Sequence, residues 1–223
     1  MNLRGVSAIR IPEGSVRSVT VGGRTIWQKP DTEPYTELAY IESTGEQHID
    51  TGIAAKSGIE VYLDHEFVKI KSTASILCGA INEYAGKRIY VAHSKGILGY
   101  GNAYNTSFSP EVGIRYDMYA KLYAGEQTVV VNDTTIARRT MESEVDTRLT
   151  AYLFACNTGI TSSFGTAKIY SCRILTDGVL VRDFVPCRRN SDGVVCMYDR
   201  VTKTFFENLG TGQFIAGEVE NAS

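Results

Sequence analysis

From Lys168 to Val185 the chain runs out, turns and comes back, and its residue choices are those of a β-hairpin. Tyr170, Cys172 and Ile174 alternate with Ile169, Ser171 and Arg173, the period-2 pattern of a half-buried strand with the two sets on opposite faces. Thr176-Asp177-Gly178 then turns the chain, because Gly accepts positive φ and Asp bonds its own backbone. Val179–Val185 returns as an apolar-rich strand that Pro186 is expected to stop. Elsewhere no stretch of a dozen residues has a 3.6-residue period, and only Glu142–Leu149 has room for one or two turns of helix. The chain is therefore expected to be all-β.

The 223 residues are enough for one large sandwich with a small appendage. Strands separated by turn signals are expected over Tyr40–Ser43, His48–Ile53, Glu60–Ile70, Ser75–Ile81, Arg88–His93, Gly96–Tyr100, Tyr116–Tyr123, Thr128–Asn132, Thr134–Arg138 and Leu149–Cys156. In Glu60–Ile70 the residues Val61, Leu63, His65 and Phe67 share one face, and Glu60, Tyr62, Asp64 and Glu66 the other. Leu149–Cys156 is apolar on both faces and belongs in the middle of a sheet. Two long polar loops, Gly101–Gly113 and Asn157–Gly165, stand where rim loops carry binding sites.

The first 29 residues read as a separate hairpin segment, with Val16–Val21 and Thr25–Trp27 flanking Gly22-Gly23 and the single Trp27 as its anchor. Residues 30–34 form a short proline-bearing linker, 35–217 the sandwich and 218–223 a C-terminal tail.

A net charge of -2 and scattered Lys and Arg provide no basic stripe for nucleic acid. There is no apolar run long enough to span a membrane, and Arg4, Gly5, Ser7 and Arg10 interrupt any signal-peptide core, so synthesis in a cytoplasm is expected. The five cysteines have no C-x-x-C spacing. Cys78, Cys156 and Cys172 lie in apolar runs; Cys187 and Cys196 can approach across the Asn190–Gly193 turn, with a reduced pair as the expected state.

Sugar recognition needs aromatic rings interleaved with amides and hydroxyls on loops. Asn82, Tyr84, Tyr100, Asn102 and Tyr104 offer that mixture, with Asn157, Thr158, Ser162 and Ser163 as a second polar rim. No cofactor is called for: His48, His65 and His93 are spread over separate strands, with His65 expected in the core. Calcium would need Asp64, Asp133 and Asp146 brought together, which nothing in the sequence does. In the closing segment Phe184, Tyr198, Phe205, Phe206 and Phe214 read as core aromatics, Asp199 as a turn cap, and Asn208 with Gly210 and Gly212 as another turn.

Four pieces, YIESTGEQHIDTGI (40–53), YLFACNTGITSSFGTAKIYSCRI (152–174), LVRDFVPCRRNSDGVVCMYDRVTKTFFEN (180–208) and GTGQFIAG (210–217), resemble the concanavalin A-like, laminin-G-like jelly rolls of phage and prophage structural proteins from gut bacteria. The resemblance implies a concanavalin A-like jelly-roll β-sandwich on a phage tail or baseplate. Lectins, glycoside hydrolases and structural modules share that fold, so the resemblance does not choose among them; the leading expectation is a non-enzymatic module binding a bacterial surface glycan, joined to other tail proteins through residues 1–29 and acting as a homo-oligomer in the virion. The alternatives are a structural virion protein and a glycoside hydrolase. Glucanase-like relatives of the fold carry E-x-D-x-x-E on one strand face, and Glu60, Asp64 and Glu66 depart from that spacing.

Overall fold

The structure, a computed structural model, describes residues 33–71 and 75–220 and the backbone of Ser18–Val21 and Arg24–Gln28. The chain divides into two compact units, Met1–Pro34 and Tyr35–Ser223. In the first, β1 (Ser18–Val21) and β2 (Arg24–Gln28) pair antiparallel with a bulge after Val19. Val16, the Gly22-Gly23 connection and the Trp27 side chain lie outside the described residues.

The second unit begins with β3 (Tyr35–Glu37), β4 (Ile41–Thr44), β5 (Ile49–Lys56), β6 (Ile59–Lys69), β7 (Ile76–Asn82), β8 (Lys87–His93), β9 (Ile97–Tyr100) and β10 (Asn102–Asn105). It continues with β11 (Arg115–Tyr123), β12 (Glu126–Val131), β13 (Thr134–Arg139), β14 (Asp146–Leu153), β15 (Cys156–Asn157) and β16 (Thr161–Ser162). The closing strands are β17 (Thr166–Thr176), β18 (Val179–Arg189), β19 (Val195–Asp199), β20 (Thr204–Phe206) and β21 (Ile215–Ala216).

Among the described residues every regular element is a strand, and the second unit is an all-β, two-sheet jelly-roll sandwich. The smaller sheet runs β10-β9-β8-β7-β14-β5, with β15 and β16 appended at β7. The larger runs β13-β12-β11-β6-β17-β18-β19-β20, with β4 beside β17, β21 beside β4 and β3 beside β18. Between them lies a core that includes Val61, Leu63, Phe67, Leu77, Leu98, Met118, Leu122, Leu153 and Phe154. Burying each Leu or Phe of this kind contributes about 1.5–3 kcal/mol, which is why the pairing of inward faces decides the register.

The turns follow their local chemistry. Asp177 and Gly178 have φ of 50° and 77°, and Asn132 and Asp133 have φ of 46° and 62°, the double positive φ that matches a two-residue turn to strand twist. Asp199 is a buried cap: it accepts the Asp183 N–H (2.8 Å), the Val201 N–H (3.1 Å) and the Thr202 hydroxyl (2.7 Å). Asn208 accepts from Gly210 N (2.8 Å) and donates to Gly212 O (3.0 Å). Phe184, Tyr198 and Phe214 are buried, while Phe205 and Phe206 are half-buried.

Several expectations change. Glu142–Leu149 contains no helix; β14 already begins at Asp146 and runs between β7 and β5. Pro186 does not stop its strand, because β18 continues to Arg189. On one side β18 pairs with β17 as far as Phe184 and with β3 from Cys187 onward. Pro186 stands between the two paired stretches, where one missing N–H is tolerated, and its carbonyl accepts from Leu38 N at 2.9 Å. The alternation in β17 is broken by a bulge against β6 between Ile169 and Ser171. Ile169, Cys172 and Ile174 are therefore buried together, and Tyr170 is turned to the outer face. Past Gly217 the chain stays paired: Ala39 N donates to Glu218 O (2.8 Å) and Glu220 N to Glu37 O (3.1 Å).

Candidate functional site

On β6 the alternation places Val61, Leu63, His65 and Phe67 in the core and leaves Glu60, Tyr62, Asp64 and Glu66 half-exposed on the outer face of the larger sheet. The neighbours are set by register: β11 brings Arg115 opposite Glu66, Tyr119 opposite Tyr62 and Lys121 opposite Glu60, while β17 brings Lys168 opposite Glu66 and Arg173 opposite Tyr62. Cross-strand side chains at these spacings touch.

Each outward carboxylate of β6 holds two hydrogen bonds. Glu60 accepts from the Tyr119 and Tyr123 hydroxyls, both at 2.8 Å. Asp64 accepts from Arg115 Nε at 2.8 Å and Nη2 at 2.5 Å. Glu66 accepts from Lys168 Nζ at 2.9 Å and the Tyr170 hydroxyl at 2.8 Å. Ring contacts tie these groups laterally. The Arg115 guanidinium lies 3.8 Å from the Tyr170 ring centroid, Arg173 4.7 Å from Tyr62 and Lys168 4.9 Å from Tyr40. The Tyr62 and Tyr119 rings are 4.6 Å apart and tilted by 33°.

The electrostatics hold Glu66 ionised and Tyr119, Tyr123 and Tyr170 protonated at neutral pH. Burial pushes the Glu66 carboxyl up, but the hydrogen bonds from Lys168 and Tyr170 and the charges of Lys168 and Arg115 outweigh it and hold it below its ordinary value. Burial, followed by the bond to Glu66, pushes Tyr170 up to about 12. Burial and the bond to Glu60 push Tyr123 up to about 12 and raise Tyr119 as well. At neutral pH the tyrosines are fixed donors and Glu66 a fixed acceptor. Beyond Tyr123 lies an open groove of about 430 Å³ bordered by Lys56, Glu144, Asp146 and Asp177.

The residues singled out by sequence as a sugar-binding rim do not form one site; of the exposed ones only Asn102 and Tyr104 come together, on β10, where they share Arg139. Tyr100 is fully buried opposite Ile89, its hydroxyl 2.7 Å from Ser57 Oγ and 3.2 Å from the Ser143 carbonyl, so no ligand reaches its ring. Asn82 donates to Thr147 O (3.0 Å) and accepts from Ala85 N (3.0 Å), which fixes a turn. Asn157 is buried, donating to Thr150 O (3.0 Å) and accepting from Gly159 N (3.0 Å). Thr158 bonds the Ile160 carbonyl, and Ser162 pairs with Cys156, so the second polar rim is a small hairpin. Tyr84, Asn102 and Tyr104 are exposed. Tyr84 crowns the β7–β8 turn, and Tyr104 lies along the edge strand β10 opposite Leu98, with Arg139 4.6 Å from its ring. At least four residues of ladder, about 13 Å, separate them.

His65 is buried, as expected, with Nδ1 3.3 Å from the Leu63 carbonyl and Nε2 without a partner. Asp64 and Asp146 are used by Arg115 and by the Arg148 N–H, and among the described residues no three His, Cys, Asp or Glu side chains converge on a metal position.

Sequence reading missed Arg115, Tyr119, Lys168 and Tyr170. The alternation of RYDMYAKLY does place Arg115, Tyr119, Lys121 and Tyr123 on one face, but it does not say that β11 lies beside β6. Tyr170 was hidden by the bulge.

Neither a protein-family model nor a curated protein sequence matches the chain. Among solved structures a native heptameric SAP-like pentraxin from Limulus polyphemus is similar at a TM-score of 0.45 and 9% identity, over 83% of this chain and 95% of that one. A likeness that distant carries no inference about this chain.

Proposed function

We propose that this chain is a non-enzymatic carbohydrate-binding module of a phage or prophage tail-associated protein, with the outer face of the larger sheet as its ligand platform and a bacterial surface glycan as its target. The observation that carries the reading is the doubly bonded state of Glu60, Asp64 and Glu66. A glycosidase needs one carboxyl kept protonated to deliver to the leaving oxygen. Here Asp64 and Glu66 are paired with Arg115 and Lys168 and Glu60 accepts from two phenols, and the result is a laterally braced array of donors, acceptors and ring edges. Such an array matches sugar hydroxyls without reorganising, which limits the ordering cost of binding. The setting on a tail rests on the sequence resemblance; residues 1–29 would join neighbouring tail proteins, and a homo-oligomer would multiply weak single sites.

The test is binding of the purified protein to bacterial cell-wall polysaccharides, with Arg115→Ala and Tyr119→Ala run beside Tyr84→Ala and Tyr104→Ala. Loss in the first pair alone supports the sheet face. Loss in the second pair alone moves the site to the exposed rim. Release of reducing ends that vanishes in Asp64→Asn or Glu66→Gln replaces binding with hydrolysis. Absence of both in a folded oligomer points to a structural virion role.

A further inference from the structure

Cys187 and Cys196 face each other across β18 and β19, buried, with their sulfurs 3.7 Å apart. Arg189 N donates to Val194 O at 2.9 Å, so the antiparallel alternation puts Cys187 and Cys196, two residues further along, at the wider pair spacing. That spacing is about 5.5 Å between Cα atoms, within the range where disulfides are commonest. The pair also lies outside the main core, in a small cluster with Tyr35, Val185 and Tyr198. Opening that cluster requires fraying one hairpin, whereas exposing Cys78 or Cys172 requires opening the sandwich.

We propose that Cys187 and Cys196 are a cross-strand redox pair that closes to a disulfide when the protein meets a low-molecular-weight disulfide oxidant. Cys196, held below the usual thiol range by the hydrogen bond from Cys187 and by the Arg189 charge, supplies the first thiolate. It attacks one sulfur of the oxidant and expels the other half as a thiolate. Cys187 then gives up its proton and attacks the Cys196 sulfur of the mixed disulfide, releasing the second half as a thiol. Two protein thiols are oxidised and one external disulfide is reduced. The bond would staple the hairpin on which β3 pairs, through Cys187 opposite Glu37. This inference does not depend on the ligand face.

The test is equilibration of the folded protein with oxidised glutathione, with and without sub-denaturing urea to open the hairpin, followed by unfolding, alkylation and intact mass. The expected result is three alkylatable thiols of the five, a mass lower by two hydrogens before alkylation, and a Cys187–Cys196 linked peptide. Cys187→Ser and Cys196→Ser should each end in a stable glutathione adduct or no reaction, while Cys78→Ser still closes the pair. The oxidised wild type should also unfold at higher urea than the reduced form, a difference absent in Cys187→Ser. Five alkylatable thiols under both conditions, a linked peptide joining other cysteines, or closure only after full unfolding would overturn the proposal.

Discussion

Arg115 grips Asp64 through two parallel hydrogen bonds, Nε to Oδ1 at 2.8 Å and Nη2 to Oδ2 at 2.5 Å. The two side chains come from adjacent strands two residues out of register, since Arg115 pairs with Glu66 and Asp64 with Asp117. The Arg115 side chain keeps 57% of its surface exposed, so the fork is held in place yet open to a ligand.

Arg115→Ala should therefore separate binding from stability. An exposed pair contributes about 1 kcal/mol or less to folding. Removing the guanidinium should lower glycan affinity about tenfold or more, roughly 1.4 kcal/mol, while the urea midpoint hardly moves. Titration calorimetry beside urea unfolding reads both quantities.

Asp199→Ala should behave in the opposite way. The carboxylate is buried and satisfies three backbone N–H groups, of Asp183, Val201 and Thr202, and the Thr202 hydroxyl, with Arg182 Nη1 3.7 Å away. Its removal leaves buried backbone donors without an acceptor and takes the counter-charge from Arg182, which keeps only the Thr51 and Val181 carbonyls, and we expect a loss of about 3 kcal/mol. Asp199→Asn keeps part of the cap and should lose less in the same denaturation assay.

Gly99→Ala should destabilise by about 1–3 kcal/mol through overpacking. A Cβ there would lie 2.4 Å from two ring carbons of Tyr90, which is itself buried and stands between Gly99 and Gly79 in the ladder. The loss should shrink in the background of Tyr90→Ala, where the ring is absent, and a double-mutant cycle in urea measures that coupling.

Stability should fall as the solution is acidified. Burial, partly opposed by the Leu63 carbonyl and Asp64, lowers His65 from 6.5 to about 4; burial and Lys95 lower His93 to about 4, and burial lowers His48 against Asp50. Because the folded values are depressed, the unfolded chain takes up protons first, so stability present above pH 6.5 is lost progressively down to about pH 4. For the fully buried His65 the loss approaches roughly 3 kcal/mol. Urea midpoints followed from neutral pH to about pH 4 should show the slope, and His65→Leu should flatten it.

Much of this molecule was legible along the chain because strand chemistry is local. The alternation of Glu60–Ile70 announced which side of β6 enters the core, and Asp177-Gly178 announced its turn through the φ it tolerates. Asp199 and Asn208 were legible as caps for the same reason: their partners are only a few residues away, apart from Asp183 and His48.

What the chain could not show by itself was adjacency. Tyr100 reads like any rim tyrosine until pairing with Ile89 turns it into the core, and Pro186 reads as a stop until its strand pairs with one neighbour before it and another after it. The candidate face is the same case. Glu60, Asp64 and Glu66 were visible as three acids on one strand, but their state depends on Tyr119, Arg115 and Lys168, which lie 51 to 102 residues away. Local preference sets which way a side chain points; only the long-range ladders, and a bulge at Tyr170, decide what it meets.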